Sequence, residues 1–495
     1  MKRIAKKTLQ NIIYIAIFLI VSLVPVVFFS DKQVAIGNET KADKPKLSDG
    51  TLITTNIDAY FAQNFGFRNR LVYAGNALKQ AVFKTSGQSD VIIGEDGWLF
   101  YGRALDDFLG TSILGEVELD RMGAVVDMMQ QYVQLHGGEF IFVSAPNKMS
   151  VYGEYMPYYY VEEKASGNYE LFYERLTEIG VNAVQLKNVL IAKKLDGVQL
   201  YHKLDSHWNN YGAAVAYEAM ADKLAKLYGE EYSGYTHYSE LPYNVKNNFS
   251  GDLQAMLLPG SNKKDEQVEF DIDEKFEYVN RFRGVDDLVI ASANQTAAVD
   301  KMVTLFRDSF GNALYWFFAN EYTSLTAKRE IPYNIYQAAA ESDLVVIELV
   351  ERNLKGLLQH TPIIASWNLG GDYFDNIELD SKQVLDVDFY VNTTADGLMQ
   401  ISGNDDFLED YSYIYVRIKH MEDSDKTEQD DSDKDGADES VVYQLLLGEG
   451  GDFTFYLEQA DADILKADDG RNEYSFILKN SDGYVEIPIN VTLQD

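Results

Sequence analysis

Eighteen consecutive residues near the start of the chain, Ile12 to Phe29 (IIYIAIFLIVSLVPVVFF), carry no charge, and Lys2, Arg3, Lys6 and Lys7 precede them. A run of that length just crosses the hydrocarbon of a bilayer, and a basic flank favours the cytoplasmic side. The expectation is a single-pass anchor in the cell membrane, with the N-terminus cytoplasmic and everything after Ser30 outside. Pro25 kinks such a helix without excluding it. A cleaved signal peptide is the competing reading, but no small-x-small pattern follows the run and FFSDKQ is a poor processing site.

The chain's 495 residues predict two or three domains. Cysteine is absent, which removes disulfides and thiolate metal sites and leaves the chain indifferent to an oxidising compartment. Lys and Arg number 43 against 78 Asp and Glu, a formal charge of −35 that repels phosphate backbones, so no nucleic-acid partner is expected. The 34 Tyr and 26 Phe supply apolar surface for packed cores and flat rings of the kind that stack on sugars.

Residues 31–50 are polar and aperiodic, as a juxtamembrane linker is. From 51 to 383 short apolar runs, EFIFVSAP (139–146), MVTLF (302–306) and DLVVIELV (343–350), alternate with amphipathic patterns such as Ala213, Ala216, Tyr217, Met220, Leu224 and Leu227. That alternation predicts an α/β domain, a mostly parallel sheet flanked by helices. From 384 to 495 the segments VDFYVN, YSYIYVRIKH, VVYQLLLGE, DFTFYLE, YSFILKN and YVEIPINVTL predict an all-β, sandwich-like domain. Residues 421–440, with ten acidic residues and only Lys426 and Lys434 as cations, read as a disordered loop within it. Asp431, Asp433, Asp435 and Gly436 imitate the start of a calcium loop, but its twelfth position is Val442 in place of the bidentate Glu, which favours a solvated insert.

General-base chemistry has six histidines to draw on, and His207 stands out in YHKLDSHWNNYGAA, two residues after Asp205. In a turning or extended backbone, residues i and i+2 project to one side, so Asp205 can orient the imidazole and stabilise its charged form. In LFRDSFGNALYWFF an apolar strand stops, Ser309 sits in the bend, and a helix begins near Asn312. Such a bend exposes a hydroxyl at the carboxyl edge of a parallel sheet, where a helix N-terminus and backbone N–H groups stabilise an oxyanion. Taken singly, Asp-x-His also reads as a surface turn and Ser-Phe-Gly as a cap. Metal binding by Asp205, His207 and His202 is a third reading, ranked lower because no second histidine lies at a useful helical spacing.

Together with YFAQNFGFRNRL (60–71), GEDGWLFY (94–101), SAPNKMSVYGEYMP (144–157), DSHWNNYGA (205–213), FSGDL (249–253), RDSFG (307–311) and DLVVIELVERNL (343–354), these segments resemble the alginate O-acetyltransferase family and the related DHHW proteins of the SGNH-hydrolase-like superfamily. The resemblance covers about residues 55–380 and implies an SGNH-like fold with Ser309, His207 and Asp205 as the triad. Two departures are Arg307, where the family often has Gly, and Ser206, at the second position of the Asp-x-His-Trp motif. Oxyanion or substrate contacts are expected from the Ser309 N–H, Asn147 and Arg352, with Arg307 shaping the approach to the nucleophile. Trp208 reads equally as a sugar platform or as core, and Trp98 as core. The implied activity is extracytoplasmic O-acetylation of a cell-surface or secreted polysaccharide through an acyl-serine, with no cofactor and no metal. A multispanning membrane-bound O-acyltransferase is the implied acyl-supplying partner, and the all-β domain the implied glycan holder. An O-acetyl esterase with the same triad, or a non-catalytic glycan-binding protein, are the alternatives.

Overall fold

The computed structural model describes residues 2–30, 41–42, 44, 53–83, 85–161, 166–420, 440–466 and 472–494. The expected linker, apart from three of its residues, and the expected acidic loop, apart from Ser440, lie outside the described residues. In chain order the strands before residue 360 are β1 (Val91–Ile93), β2 (Leu99–Tyr101), β3 (Glu139–Ala145), β4 (Ala183–Gln185), β5 (Tyr243–Phe249), β6 (Asp265–Phe270), β7 (Glu277–Tyr278), β8 (Val289–Ala293), β9 (Val299–Phe306), β10 (Tyr322–Lys328) and β11 (Leu344–Val350).

Seven of these form one sheet in the order β4-β3-β11-β9-β10-β8-β7, the first five parallel and the last two antiparallel. Every residue of β11 is buried, which explains why this central strand reads as a continuous run (LVVIELV) instead of an alternation: helices cover both faces. Among those helices are Glu116–Leu135, Asn210–Tyr228 and Gly311–Glu321. The second is capped by Asn209, whose side-chain oxygen accepts the Gly212 N–H at 2.9 Å, a bond that ends the preceding loop and starts the helix in one place. The strands, bend and helices expected from periodicity are therefore present, and the loops after β3, β9 and β11 meet at the carboxyl edge of the sheet.

The C-terminal strands are β12 (Leu379–Ser381), β13 (Leu385–Thr393), β14 (Met399–Asn404), β15 (Tyr413–His420), β16 (Ser440–Leu447), β17 (Asp452–Leu457), β18 (Asn472–Asn480) and β19 (Gly483–Gln494). The expected all-β character holds, but the strands form one closed barrel where two facing sheets were expected. β19 is long enough to pair β12 and then β13 along one edge while pairing β18 along the other, so the series β13-β14-β17-β16-β15-β18-β19 returns on itself. Closure removes the exposed edges that a sandwich would have to protect. Phe389, Phe453, Phe455 and Phe476 fill the interior, with ring centroids 5.5–6.2 Å apart.

Barrel and α/β sheet share an interface along helix Glu116–Leu135. Leu398, Leu446 and Tyr456 of the barrel belong to the same buried cluster as Met122, Val126 and Tyr132 of the helix. Arg121 anchors it: the buried guanidinium donates to the carbonyls of Tyr411 (2.8 Å), Gly448 (3.0 Å), Gly450 (2.5 Å) and Leu408.

At the other end of the chain, helix α1 (Lys2–Val27) contains a segment, Thr8–Val27, of mean hydropathy 2.3 with none of it buried, long and apolar enough to cross a membrane. Twenty residues rise about 30 Å, the thickness of a hydrocarbon core. Two further helices follow, α2 (Ile53–Asn64) and α3 (Arg68–Phe83).

Candidate active site

The bend after β9 runs from Arg307 to Phe310, and the helix beginning at Gly311 folds straight back over it. A Cβ at Gly311 would sit 2.5 Å from the Cβ of Arg307, so this turn is closed to larger residues. Asp308 holds the bend to the sheet: one carboxylate oxygen accepts the Phe310 N–H (2.8 Å), the other the Val350 N–H (2.9 Å) at the end of β11. Beneath it the buried Glu348 carboxyl accepts the Asp308 N–H at 3.1 Å. Burial, and secondarily the charge of Asp308, hold the Glu348 carboxyl well above the usual carboxylate range. This buried carboxyl lies under the turn that presents Ser309, which is itself half-exposed.

The loop preceding helix Asn210–Tyr228 brings His207 opposite. Its Nε2 lies 2.8 Å from Ser309 Oγ and its Nδ1 2.6 Å from Asp205 Oδ1. Asp205 Oδ1 also accepts the His207 backbone N–H (2.9 Å), a local side-chain turn that gives the i, i+2 spacing its geometric meaning. With Nδ1–H donating to the carboxylate, Nε2 is the acceptor for the serine hydroxyl. Burial works against both charges. It is outweighed by the mutual attraction and the hydrogen bond, so the Asp205 carboxyl lies well below the carboxylate range and the His207 imidazole is raised above its ordinary value.

Three further groups build this loop. Lys148, buried after β3, donates its ammonium to the carbonyls of His202 (3.0 Å), Lys203 (3.2 Å) and Asp205 (2.5 Å), and burial lowers it to about 8. Asp252 donates its N–H to Asp205 Oδ2 (2.7 Å), while its own carboxylate accepts the Ser206 N–H (2.8 Å) and hydroxyl (2.6 Å). That approach requires Gly251, since a Cβ there would lie 2.1 Å from the Leu204 carbonyl oxygen.

Asp205, His207 and Asp252 place ligand atoms within 4.8 Å of one another, the one such group among the described residues. Each carboxylate oxygen in it already accepts an N–H or O–H, which suits a hydrogen-bonded triad better than a cation cage. His202, the third ligand of the metal reading, is turned away: its Nδ1 meets the Glu266 carbonyl at 2.8 Å and its ring stacks on Phe249.

Residues 91–324 match the family pattern described as "SGNH hydrolase-like domain, acetyltransferase AlgX". This stretch of the chain is similar to that SGNH hydrolase-like family. Its relatives include the probable alginate O-acetylase AlgJ of Pseudomonas putida, 28% identical over 140 residues (28% of this chain, 35% of that protein). AlgJ of Pseudomonas fluorescens is 23% identical over 215 residues (43% and 52%). The chain thus spans about a third to a half of the length of these curated relatives. Among solved structures, Bacillus cereus PatB1 is similar with 16% identity and a TM-score of 0.43 over 53% of this chain and 95% of that one.

Within this SGNH-like domain the remaining expected contacts divide. Arg352 lies between the rings of Tyr101 (5.2 Å) and Phe310 (5.5 Å), and donates to Asn147 Oδ1 at 3.3 Å. It also lines, with Asp308, Asn353 and His360, a cavity of about 350 Å³ beside the Ser309 turn. Asn147 is buried, bonded through Nδ2 to Asp107 (3.2 Å) and through its N–H to Glu351 (2.6 Å), so it braces Arg352. Trp208 does not have the position expected of a substrate contact, whereas Arg307 lines the same cavity. The Arg307 guanidinium is spent on Asn312 (2.6 Å) and the carbonyls of Val285 and Asp287. Trp208 is 2% exposed and donates its indole N–H to the Phe310 carbonyl, propping the serine turn instead of offering a face to sugar. Trp98 is core, as expected, stacked on Tyr152 and Tyr155.

Proposed function

We propose that the chain is an extracytoplasmic, serine-dependent O-acetyltransferase that acetylates hydroxyls of a cell-surface or secreted polysaccharide. The observation that carries the reading is the imidazole of His207 bridging Asp205 at 2.6 Å and Ser309 at 2.8 Å. In this reading His207 Nε2 takes the Ser309 proton as Oγ attacks the acyl carbonyl, then returns it to the leaving group, leaving an acetyl-serine. A sugar hydroxyl next gives its proton to His207 and attacks the ester, and collapse restores Ser309 with its proton. Asp205 holds the tautomer and offsets the imidazolium charge. In this reading Arg352, whose guanidinium lies 5.5 Å from the Phe310 ring centroid, and the Ser309 N–H stabilise the developing oxyanion.

The AlgJ relatives, named for alginate O-acetylation, support a polysaccharide acceptor. The segment Thr8–Val27 supports a membrane anchor, and the basic residues Lys2, Arg3, Lys6 and Lys7 before it support a placement of the catalytic residues outside. Acetyl-coenzyme A is cytoplasmic, so the reading requires a donor passed across the membrane by a multispanning O-acyltransferase partner. The barrel would hold the glycan. The test is acetyl transfer by the full chain in detergent from a chromogenic acetyl ester to oligosaccharides, with Ser309→Ala and His207→Ala variants of verified fold. Acceptor-dependent acetylation lost in both supports the reading; ester cleavage that never reaches a sugar hydroxyl makes the protein an esterase.

A further inference from the structure

The helix α3 carries an apolar stripe that none of the described residues covers. Leu71, Ala74, Leu78 and Val82 are all exposed, with Leu71 at 52%, Leu78 at 64% and Val82 at 61%. Phe67, immediately before the helix, is 39% exposed. The opposite side is fixed to the catalytic domain: Asn76 is buried and its Nδ2 donates to the Leu257 carbonyl at 2.7 Å. At 3.6 residues per turn, the four stripe residues project about 120 to 160° from Asn76. One face thus docks on the protein while its opposite is a row of bare aliphatic side chains, an arrangement that costs free energy in water and marks a covered surface.

The position of α3 indicates what covers it. The turn between α2 and α3 seats on the outer end of α1: the Gly66 N–H donates to the Pro25 carbonyl (2.7 Å), and the Ser30 N–H to the Asn64 carbonyl (3.0 Å). Phe28 and Phe67 have ring centroids 5.1 Å apart, and Phe29 lies 5.9 Å from Phe61. Since α1 is just long enough to span the hydrocarbon, its last turn lies at the bilayer surface, and α3 begins there. Exposed Arg70 and Lys79 flank the stripe, as cations flank helices that lie in the headgroup region.

We propose that α3 lies on the outer lipid surface of the bilayer that α1 spans, with Leu71, Ala74, Leu78 and Val82 seated at the acyl-chain boundary. The proposal rests on reading Thr8–Val27 as a membrane span. Its consequence is mechanical: through Asn76 and Leu257, the catalytic domain is held at a fixed attitude to the membrane from which the acyl group comes.

The chain has no cysteine, so single labels report without background. The full chain, reconstituted into vesicles of phosphatidylcholine and phosphatidylglycerol, would carry an environment-sensitive fluorophore at Leu71→Cys or Leu78→Cys, with Asp482→Cys in the exposed barrel turn as reference. The expected result is several-fold stronger quenching of the first two by bromine-labelled lipid chains, and several-fold weaker quenching by iodide, than at position 482. Labels at 71 and 78 quenched by iodide as fast as at 482 overturn the proposal. So do labels that are dry yet untouched by bromolipid, which would place a protein, either a second copy or a membrane-embedded partner, on the stripe. An alkaline carbonate wash reads α1 separately: release of the chain overturns the span itself, whereas retention with wet labels overturns only the placement of α3.

Discussion

Replacing Asp205 with Asn alters one atom and leaves the side-chain shape intact, yet three donors converge on that carboxylate. Oδ1 accepts the His207 N–H (2.9 Å) and Nδ1–H (2.6 Å), and Oδ2 accepts the Asp252 N–H (2.7 Å). An amide has one acceptor oxygen. If it faces His207, its NH2 meets the Asp252 N–H, and a buried donor is left unpaired at a cost of about 1–3 kcal/mol. If it faces Asp252, its NH2 meets His207, forces Nδ1 to accept, and puts the imidazole proton on Nε2, where it cannot receive a proton from Ser309. Either way the negative charge that favours the imidazolium is gone. The expected loss is about 10⁴-fold in kcat, or about 5 kcal/mol of barrier. Acetyl-ester turnover against pH provides the assay. Because Asp205 raises the His207 pKa, the native rate rises with pH through that raised value as the imidazole becomes neutral, and the residual activity of Asp205→Asn should show this acid limb at lower pH. A variant within tenfold of native, or an unmoved limb, would refute the reasoning.

Other residues test the scaffold. Lys148→Met removes the ammonium from three carbonyls of the triad loop and should lower kcat about 10- to 100-fold by misplacing His207, with KM for a small ester little changed; equal change in both parameters would contradict a positioning role. Burial raises the Glu351 carboxyl from 4.5 to about 7, so the proton it retains when folded stabilises the protein at low pH. That stabilisation is lost as pH rises through the folded value, by an amount of about 3 kcal/mol. Glu351→Gln should flatten the stability profile between those pH values, and a profile that keeps its slope in urea titrations counts against this. Arg121→Met removes this donor from four barrel carbonyls, of which that of Leu408 keeps the Tyr411 N–H, and should destabilise by about 1–3 kcal/mol for each buried carbonyl left unpaired, whereas a loss below about 1 kcal/mol in denaturant unfolding would show that the interface does not depend on it.

Much of this was legible in the residues. β3, β11 and the last four residues of β9, Val303 to Phe306, announced themselves as apolar runs because a parallel strand buried on both faces has no polar alternation. Ser309 and the Asp205–His207 pair were visible because a strand-to-helix bend and an i, i+2 turn are local geometries. What builds the site at a distance was not. Asp252 meets Asp205 from 47 residues away, and Lys148 reaches it from 57, through contacts that only the fold creates. Glu348 left one clue, a lone carboxyl in the buried run LVVIELV. Trp208 stood beside His207 in the chain, but on the side facing the core. The all-β character of the C-terminal domain was legible but its closure into a barrel was not, because strand alternation is the same in a sandwich and a barrel; closure depends on which strands pair with β19.

The central claim is that Ser309 carries the acyl group. The most direct measurement is peptide mass analysis of the full chain, quenched in acid after brief exposure to an activated acetyl ester, alongside Ser309→Ala and His207→Ala. The account predicts one acetyl group on the Ser309 peptide of the native chain, none there in Ser309→Ala, and much slower acetylation in His207→Ala. Acetylation confined to another residue, or equally fast without His207, would contradict it.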